Sequence, residues 1–442
     1  MMHLANRSLR TMTLGAALCS LSAVKAASAQ DTTFRGVMIS GAYDPLRDKI
    51  GITVLPVAGA YSDSIRTIIS RDLDFSDRFT VIAVDSADPN ALRPAAGGTL
   101  NYPLFARLNA TAVVQITSGG TGLHVVLHDV GHSKIQNAGD FSLPAAGLGR
   151  DWRLGVHRVS DEIERWMTGQ RGIAATRVAF MRGQAIRIVD SDGAAEITVP
   201  TEPDGGSPAW SPNGSTLTYT TFGVSSRVLV LDLATGRSRS LIGPTRNTTY
   251  LTPVFGANGT SIVYAREGEN GSDIFSIPVA GGTPQQLTAG RGTSNTNPTL
   301  SPDGRQIAFV SGRLGRPELY IMDSDGSNVR VLTDYDFSEK NYRSDPDWSP
   351  DGRLVAYQER INNDRFQIRT IRVSGGTPKL LTSEGINEQP SWAPDGRHLV
   401  FTSTRSGVRQ LWVLDTESNR VRQLTKSAGS KLASWSTRLS GQ

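Results

Sequence analysis

Short runs of alternating apolar and polar residues, each closed by a turn, recur from about residue 175 to the end of the chain. A period of two residues is typical of β-strands that bury one face. In the copy that begins at Asn297, Ile307 and Phe309 share one face of such a strand. The copy predicts a strand through residue 300, a turn at 301–304, strands at 306–310 and 319–322, a hairpin turn at 323–326 and a strand at 329–332. Four short strands in about 45 residues are the pattern of a β-propeller blade.

A recurring turn motif sets the period of this pattern. Proline presets the backbone angle of the second turn position and glycine suits the fourth, so Ser-Pro-Asp-Gly is a strong turn signal. The anchor residues before the turns are spaced by 45, 45, 48, 44 and 43 residues. They are Trp210, Phe255, Leu300, Trp348, Trp392 and Trp435; Phe255 precedes an eroded turn, Gly-Ala-Asn-Gly, and Trp435 has no proline after its serine. A fixed period in this range indicates a repeat fold, and the regular recurrence assigns the anchors to blade packing.

The repeat count predicts six blades and a particular closure. Residues 177–199 supply the second, third and fourth strands of a blade, but no first strand precedes them. The segment around Trp435 supplies a first strand without successors. Because each fragment has what the other lacks, we expect the C-terminal strand to close the first blade. Such closure also protects sheet edges that would otherwise be exposed.

The region before the repeats, residues 47–172, predicts a separate α/β domain. Apolar residues recur at helical spacing after Ser62 and Asp63, which can cap a helix. We expect strands at 52–57, 79–84, 112–118 and 123–127 and a short helix at 102–108. We also expect two longer helices. The buried face of the first carries Ile65, Ile68, Ile69 and Leu73, and that of the second, which ends near Gly169, carries Trp152, Val156, Val159, Ile163 and Trp166. The predicted fold is therefore an α/β N-terminal domain followed by an all-β six-bladed β-propeller over residues 173–442.

The first 29 residues have the pattern of a secretory signal peptide. An apolar stretch at 12–24 is too short to span a bilayer, and the small residues Ala27 to Ala29 permit cleavage before Gln30. The one cysteine, Cys19, follows Leu18, where a lipoprotein signal would need a small residue, so we predict no lipid anchor. The mature protein is expected in the periplasm, and the loss of its cysteine suits that oxidising compartment.

Composition removes several classes of function. The formal net charge of the chain is +5, and it falls to +2 when Arg7, Arg10 and Lys25 leave with the signal peptide. This charge is too small for a nucleic-acid-binding protein, and no basic stripe with interleaved aromatic residues occurs. No nucleophile elbow, zinc-protease motif, phosphate-binding loop or Cys/His spacing is present. We therefore predict no catalytic residues, no cofactor and no metal site.

Two local patterns resemble metal sites but have simpler interpretations. His124 and His128 would share one face of a strand, with His132 in the following turn; we interpret them as a solvated strand face. The sequence Asp323-x-Asp325-Gly326 resembles the start of a calcium loop but lacks the later glutamate. It recurs at the same place in another blade as Asp190-x-Asp192-Gly193. A hairpin turn explains both copies.

Function is predicted to lie in the loops that join one blade to the next. In a propeller these loops surround one end of the central channel, and here they are polar and diverse. Loops often carry function, and tyrosine and arginine are frequent anchors of interfaces. The candidate partner-binding residues are Arg246, Asn247, Tyr250, Asn295, Asn297, Tyr342, Arg343, Asp345 and Glu388. The alternative is that these are ordinary solvated loops.

The chain resembles the TolB family, periplasmic propeller proteins of the Tol–Pal cell-envelope system. The resemblance covers essentially the whole mature chain: the signal peptide, the α/β domain, the junction from Val156-His-Arg-Val-Ser-Asp161 to Thr168-Gly-Gln-Arg-Gly172, and the Pro-x-Trp-Ser-Pro-Asp-Gly repeat. The junction is the more specific part, since similar propeller repeats occur in other proteins. The eroded turn after Phe255 and the missing proline after Trp435 depart from the family pattern.

The resemblance implies a non-enzymatic coupling protein, expected to be a monomer, that binds the lipoprotein Pal on its channel face and the inner-membrane protein TolA through its N-terminus. Such a protein supports outer-membrane integrity and constriction at cell division. In this chain the arm would be residues 30–46, in which Phe34, Val37 and Ile39 suit addition as a strand to a partner's sheet edge. An edge strand of the chain's own α/β domain is the alternative for the arm. For the whole protein, a propeller hydrolase with channel carboxylates and a scaffold for another envelope partner remain open.

Overall fold

The computed structural model describes residues 49–84, 92, 100–119, 121–144, 147–222, 226–290, 293–333, 342–361 and 365–439. The predicted signal peptide at 1–29 and the predicted arm at 30–46, with Phe34, Val37 and Ile39, lie outside these residues. Within the described ranges, no helix has both the length and the apolar character needed to cross a membrane.

The N-terminal domain is a mixed β-sheet with helices packed on it. The strand order is β3-β1-β4-β5-β6, and β2 pairs with β4. The strands are β1 (Ile50–Val54), β2 (Ala58–Gly59), β3 (Phe79–Val81), β4 (Ala112–Ser118), β5 (Gly122–Asp129) and β6 (Lys134–Ser142), and the helices are α1 (Ser62–Phe75), α2 (Tyr102–Arg107) and α3 (Arg150–Thr168). Strand β1 runs parallel to β3 and β4, whereas β5 is antiparallel to β4 and β6.

Helices α1 and α3 form the main core of this domain with the sheet. The predicted apolar faces are buried, with Ile65 of α1 and Val156 of α3 fully inaccessible to solvent. Helix α3 ends as predicted at Gly169, whose φ of 78° is the left-handed conformation that favours glycine. The predicted cap of α1 is wrong, because Tyr61 is the N-cap residue and no side chain caps the helix.

Six four-stranded antiparallel sheets form the propeller. In five of these sheets the strands follow the order of the chain from the channel outward, and in the sixth the C-terminal strand β30 takes the innermost place. Blade 1 is β30 (Ser430–Trp435), β7 (Arg177–Arg182), β8 (Ala185–Asp190) and β9 (Ile197–Thr198); blade 2 is β10 (Gly205–Trp210), β11 (Thr216–Thr221), β12 (Arg227–Asp232) and β13 (Arg237–Ile242); blade 3 is β14 (Thr249–Phe255), β15 (Ser261–Gly268), β16 (Gly271–Pro278) and β17 (Gln285–Gln286); blade 4 is β18 (Asn295–Leu300), β19 (Gln306–Ser311), β20 (Glu318–Asp323) and β21 (Arg330–Val331); blade 5 is β22 (Tyr342–Trp348), β23 (Leu354–Ile361), β24 (Arg365–Arg372) and β25 (Lys379–Leu380); blade 6 is β26 (Asn387–Trp392), β27 (His398–Ser403), β28 (Gln410–Asp415) and β29 (Val421–Gln423).

The predicted closure of the propeller is confirmed. Strand β30 at the C-terminal end pairs with β7, and Trp435 lies opposite Val178 in the register. The indole Nε1 of Trp435 donates to Thr176 Oγ1 at 2.8 Å. Because blade 1 combines both ends of the repeat region, the ring is held by main-chain hydrogen bonds at the point where it closes.

The innermost strand of every blade carries the same β-bulge just before the anchor residue. The register shifts at this point in all six blades. The residue at the bulge has a left-handed φ, which non-glycine residues rarely adopt. These residues are Ser207 (50°), Thr252 (44°), Asn297 (51°), Asp345 (50°), Gln389 (57°) and Leu432 (53°). In the first five the next residue is proline, so the Pro-x-Trp part of the sequence motif marks a bulge that faces the channel.

The residue between the proline and the anchor joins neighbouring blades. In three blades its side chain accepts a hydrogen bond from the anchor's backbone N–H in the next blade. The pairs are Thr299 Oγ1 with Trp348 (3.3 Å), Asp347 Oδ2 with Trp392 (2.7 Å) and Ser391 Oγ with Trp435 (3.1 Å). Blades 2 and 3 have Ala209 and Val254 at this position, and these side chains cannot accept a hydrogen bond.

The N-terminal domain contacts one end of the propeller. In a four-stranded blade, the turns after the first and third strands lie at one end, which we call the domain face. The second-to-third-strand hairpins and the blade-to-blade loops lie at the other end, which we call the loop face. The interdomain contacts pair Asp77 with His398 (3.4 Å), Asp74 with Arg420 (2.9 Å) and Arg71 with Asp192. All three propeller residues belong to the domain face, so the described part of the N-terminal domain leaves the loop face open.

Candidate partner-binding face

The nine predicted partner-binding residues all lie at or near the loop face, but at three depths. The blade-to-blade loops lead into the innermost strands, and the bulges of these strands line a channel cavity of about 130 Å³. Beside it, at the loop end of blade 3, a groove of about 850 Å³ opens on the same face. The predicted residues fall into three groups. We call the exposed ones the rim, those buried between blades the clasp, and those at the bulges the channel wall.

The clasp contains three of the predicted residues. Tyr250, Asn295 and Arg343 have only 2 %, 1 % and 6 % of their surface exposed. They occupy equivalent positions near the start of the innermost strand, each opposite a residue of the second strand in the same blade. A polar residue just before a blade was predicted to face a partner, but in these three blades it points into the seam between blades.

Asn295 joins two blades through its side-chain amide. Its Nδ2 donates to Asp273 Oδ1 of blade 3 at 2.9 Å, and its Oδ1 accepts from Arg313 at 3.4 Å. Asn387 makes the equivalent pair of contacts in blade 6, with Gln367 Oε1 at 2.7 Å and Arg405 at 3.4 Å. The repetition in two blades indicates a structural role for this asparagine.

Arg343 occupies the same position in blade 5 and makes buried ion pairs. Its Nε donates to Glu359 Oε1 at 2.6 Å and its terminal nitrogen to Glu318 Oε2 at 2.6 Å. Burial lowers the pKa of Arg343, but the bonds and charges of Glu318 and Glu359 outweigh this and raise it above its usual value. With its guanidinium committed inside the protein, Arg343 is placed to hold blades 4 and 5 together.

The channel wall contains Asn297 and Asp345 at two successive bulges. Asn297 Nδ2 donates to Asp345 Oδ1 at 2.8 Å and so bridges blades 4 and 5. Burial raises the pKa of Asp345 to about 6, and the charge of Glu388 adds to this effect. Burial also raises the pKa of Asp347 to about 6, although that carboxylate caps the N–H of Trp392. Both channel carboxylates are thus used in hydrogen bonds between blades.

The rim contains the predicted residues that remain open to solvent. Arg246 and Asn247 are exposed along the groove, where Asn247 Nδ2 donates to Glu269 Oε1 at 3.2 Å. Tyr342 is half-buried, and its ring packs edge-on against Phe366 with 5.8 Å between centroids. Glu388 is half-buried and pairs with Arg409 at 3.1 Å.

Two buried clusters of titratable residues at the interdomain contact were not predicted. One contains Asp72, His157 and Asp192, and the other contains Asp77, His398 and Asp415. His157 Nδ1 lies 2.7 Å from Asp72 Oδ2 of the same domain, and its Nε2 lies 3.9 Å from Asp192 Oδ2 of the propeller. A sequence signal was available for one of them, since His157, Asp161 and Glu164 recur at helical spacing along helix α3 and are all buried.

The residues of these clusters take part in ion pairs. Arg153 donates to Asp192 at 2.7 Å, so an arginine already supplies positive charge beside that carboxylate. Burial lowers the pKa of His157, but the charge of Asp72 and a hydrogen bond with Asp190 outweigh it and raise the pKa to about 10. A protonated imidazole has no lone pair to offer a metal ion. The clusters therefore join the two domains.

The histidines of strand β5 have separate environments. His124 is exposed and pairs with exposed Asp140 at 2.7 Å, as predicted for a solvated face. His128 differs from the prediction because it is 3 % exposed and bonds Tyr102 at 3.1 Å, and burial lowers its pKa. His132 bonds Asp129 in the turn. Within the described ranges, they share no cluster with metal-binding spacing.

The acidic motif in blade 4 is a hairpin turn, as predicted. Gly326 has a φ of 91°, which explains the glycine. Asp325 Oδ1 accepts from the N–H of Ser327 at 2.9 Å. The carboxylate thereby stabilises the turn.

Comparison with known proteins agrees with the fold. Residues 164–439, more than half of the chain, match the family described as the TolB beta propeller domain. The chain belongs to the TolB β-propeller family. The Tol-Pal system protein TolB of Methylococcus capsulatus is 33 % identical over 208 residues, 43 % of this chain and 47 % of that protein. The protein of the same name from Haemophilus influenzae is 29 % identical over 204 residues, 42 % of this chain and 46 % of that protein.

The matched part spans about half the length of these TolB relatives. A solved TolB structure extends the likeness in fold to the N-terminal domain. The crystal structure of TolB from Acinetobacter baumannii has a TM-score of 0.75 and 22 % sequence identity, and the match covers 88 % of this chain and 97 % of that one. The predicted TolB resemblance and the predicted fold are thus confirmed.

Proposed function

We propose that this TolB-family chain is a non-enzymatic coupling protein of the Tol–Pal system in the periplasm. Its loop face binds the lipoprotein Pal, and its N-terminal arm at residues 30–46 binds TolA. Through these contacts it supports outer-membrane integrity and constriction at cell division. Membership of the TolB family and relatives named Tol-Pal system protein support this proposal.

The observation that carries the proposal is the division of the propeller into one occupied and one open face. The domain face is taken up by buried ion pairs with the N-terminal domain, such as Asp77 with His398. The loop face presents exposed Arg246 and Asn247, half-buried Tyr342 and the mouth of the channel. Aromatic and arginine residues around a concave surface are common anchors of protein interfaces.

The environment of the acidic residues supports a non-enzymatic role. A hydrolase would need a carboxylate or histidine free to exchange protons with a substrate. Asp347 in the channel caps a backbone N–H, and Asp345 accepts from Asn297. His157 and His398 are sealed at the domain contact, each less than 2 % exposed. These groups have structural partners, which favours a binding protein over the hydrolase alternative.

Calorimetry with purified partners tests the proposal. The mature chain is titrated with the soluble domain of Pal and with the C-terminal domain of TolA. Tyr342→Ala and Arg246→Ala are each expected to weaken Pal binding by about 1–3 kcal/mol. Arg305→Ala is the matched control, because its side chain is 85 % exposed on the domain face. Absence of Pal binding, together with capture of another envelope protein from periplasmic extract, would favour the scaffold alternative.

Removal of the arm tests the TolA part of the proposal separately. A chain lacking residues 30–42 should lose TolA binding and keep its melting temperature. If Pal and TolA influence each other, thermodynamic linkage requires both affinities to change by the same factor. Equal Pal affinity with and without the arm, and TolA binding that ignores Pal, would describe two independent sites.

A further inference from the structure

Three arginines recur at the hairpins of the loop face, each lying over an aromatic ring of its own blade. Arg266 lies near the end of strand β15, and Arg313 and Arg405 are the second residues after strands β19 and β27. Their guanidinium carbons are 4.1 Å from the ring centre of Phe275, 4.7 Å from that of Tyr320 and 5.2 Å from that of Trp412, respectively. Contacts of this kind hold a guanidinium flat while leaving its N–H edge available.

Two of these arginines also make equivalent hydrogen bonds within their blades. Arg313 Nε donates to Ser311 Oγ at 3.0 Å, and Arg405 Nε donates to Ser403 Oγ at 3.1 Å. One terminal nitrogen of each reaches the clasp asparagine of its blade, Asn295 or Asn387, at 3.4 Å. The same arrangement in two blades shows that the blade fold orients the guanidinium. All of these acceptors are neutral, so the positive charge is positioned without being compensated.

Two other arginines near the loop face have carboxylate partners. Arg182 pairs with Glu196, and Arg409 with Glu388 at 3.1 Å. Arg266, Arg313 and Arg405 have no carboxylate within 4 Å among the described residues. Burial against the rings lowers the pKa of Arg405, while the charge of Glu384 opposes this from beyond ion-pair distance. Part of its hydration has thus been removed without an ion pair in return.

The nearby acids already have hydrogen-bond donors. Asp273 accepts from Thr288 Oγ1 at 2.8 Å, from Asn295 Nδ2 at 2.9 Å and from Gln286 Nε2 at 3.1 Å. Glu269, across the groove from Arg266, accepts from Asn247. Neutral groups thus occupy the acceptors that would otherwise compete for the arginines.

We infer that Arg266, Arg313 and Arg405 form a carboxylate-receiving arc on the loop face, and that the protein docking there presents Asp or Glu side chains to it. This inference rests on the proposed function for the identity of the partner and adds the chemistry by which the partner is recognised. A carboxylate can accept two parallel hydrogen bonds from a guanidinium, a geometry that lysine cannot provide. Because the rings and serines restrict the side chains beforehand, little conformational entropy is lost on binding.

Charge-removing variants on the two faces test the arc. The soluble domain of Pal is titrated calorimetrically into the unmodified chain and into the triple variant Arg266→Gln, Arg313→Gln, Arg405→Gln. We expect at least a tenfold loss of affinity and a weaker salt dependence between about 50 and 200 mM salt, since fewer charges are involved. The control removes the same charge from exposed arginines of the domain face: Arg237→Gln, Arg305→Gln and Arg353→Gln. Its affinity should be unchanged.

A lysine variant separates charge from geometry. Replacing the three arc residues by lysine keeps the charge but removes the planar guanidinium that stacks on the ring and donates paired hydrogen bonds. Relative to the glutamine variant, the salt dependence of binding should return while the affinity is only partly restored. If the triple variant has a lower melting temperature, the single variant Arg266→Gln is used instead. The Arg266 side chain makes only the ring contact in the described structure, so its replacement should leave the fold intact.

Each outcome has a separate meaning. If Pal does not bind the unmodified chain, the proposed function fails, and with it the partner named for the arc. If Pal binds but the arc and control variants behave alike, the arc is overturned and the proposed function stands. The contact is established by two results together. Only the folded arc variants lose affinity, and an Asp→Lys or Glu→Lys change in Pal restores its binding to the Arg313→Glu variant.

Discussion

The interdomain histidine His398 predicts a loss of stability in alkali. It begins strand β27 of the propeller, with Nδ1 at 2.6 Å from Asp395 and Nε2 at 3.4 Å from Asp77 of the N-terminal domain. Burial lowers the pKa of His398, but Asp395 and the bond with Asp77 outweigh it and raise the pKa from 6.5 to about 9. The imidazolium thus behaves as a permanent cation between the two domains at neutral pH.

The size and sign of the effect follow from linkage. A folded pKa about 2.5 units above the unfolded value corresponds to about 3 kcal/mol of stability. Because the folded pKa is raised, this stability is fully present below pH 6.5 and is lost as the pH rises through about 9. Between these values His398 should lower the free energy of unfolding by about 1.4 kcal/mol per pH unit. His157, with its pKa raised to about 10, should act in the same direction.

Denaturant unfolding at a series of pH values measures this effect. The unmodified chain should lose stability steadily from about pH 7 to 10, and His398→Gln should be less stable at pH 7 and have a flatter profile. The exposed His124→Gln is the control and should retain the steep profile. A free energy of unfolding that is constant over this range in the unmodified chain, or an unchanged slope in His398→Gln, would refute the assignment of a charged histidine at the interface.

Four further predictions concern other parts of the chain. Deletion from Lys431 onward should lower the melting temperature sharply, because strand β7 would lose its inner partner; an unchanged value would contradict the closure. Asp347→Asn should raise the free energy of unfolding above pH 6 by about 1–2 kcal/mol, since the raised pKa makes the ionised carboxylate costly, and the gain should vanish near pH 4. Arg343→Ala should cost about 3–5 kcal/mol of stability by leaving Glu318 buried without a cation and Glu359 with Arg369 alone, whereas Tyr342→Ala should mainly affect binding; equal melting temperatures would refute the clasp. Intact-mass analysis should find a mature chain beginning at Gln30, and a lipid attached at Cys19 would contradict the predicted processing.

The order and number of the blades could be predicted from the sequence because they depend on local chemistry. Each Pro-Asp-Gly turn specifies its own backbone geometry, and the spacing of the anchors counts the units. The closure by the strand of Trp435 could be predicted because the first blade lacks an innermost strand in the sequence, and the observed register confirms it. The helical faces of the N-terminal domain were predictable for the same reason, since a period of 3.6 residues belongs to each segment alone.

The sequence could not predict in this way whether a candidate residue is buried between blades, lines the channel or is exposed. Asn295 and Asn297 are two positions apart and both polar, yet the first holds a seam between blades and the second lines the channel. The bulge at Asn297 inserts a residue into the strand and changes which side chains face inward. A polar residue before a strand therefore does not reveal whether it meets a partner or another blade.

The sequence by itself determined the repeat, the closure and the family, because turn formers and apolar periods act within a few residues. Only the tertiary structure decided the interdomain network, in which Asp77 meets His398 although 321 positions separate them. It also decided which arginines have carboxylate partners: Arg343 does, and Arg405 has none among the residues that the structure describes. Charge pairing depends on distance and burial in space, and neither quantity has a local signature in the chain.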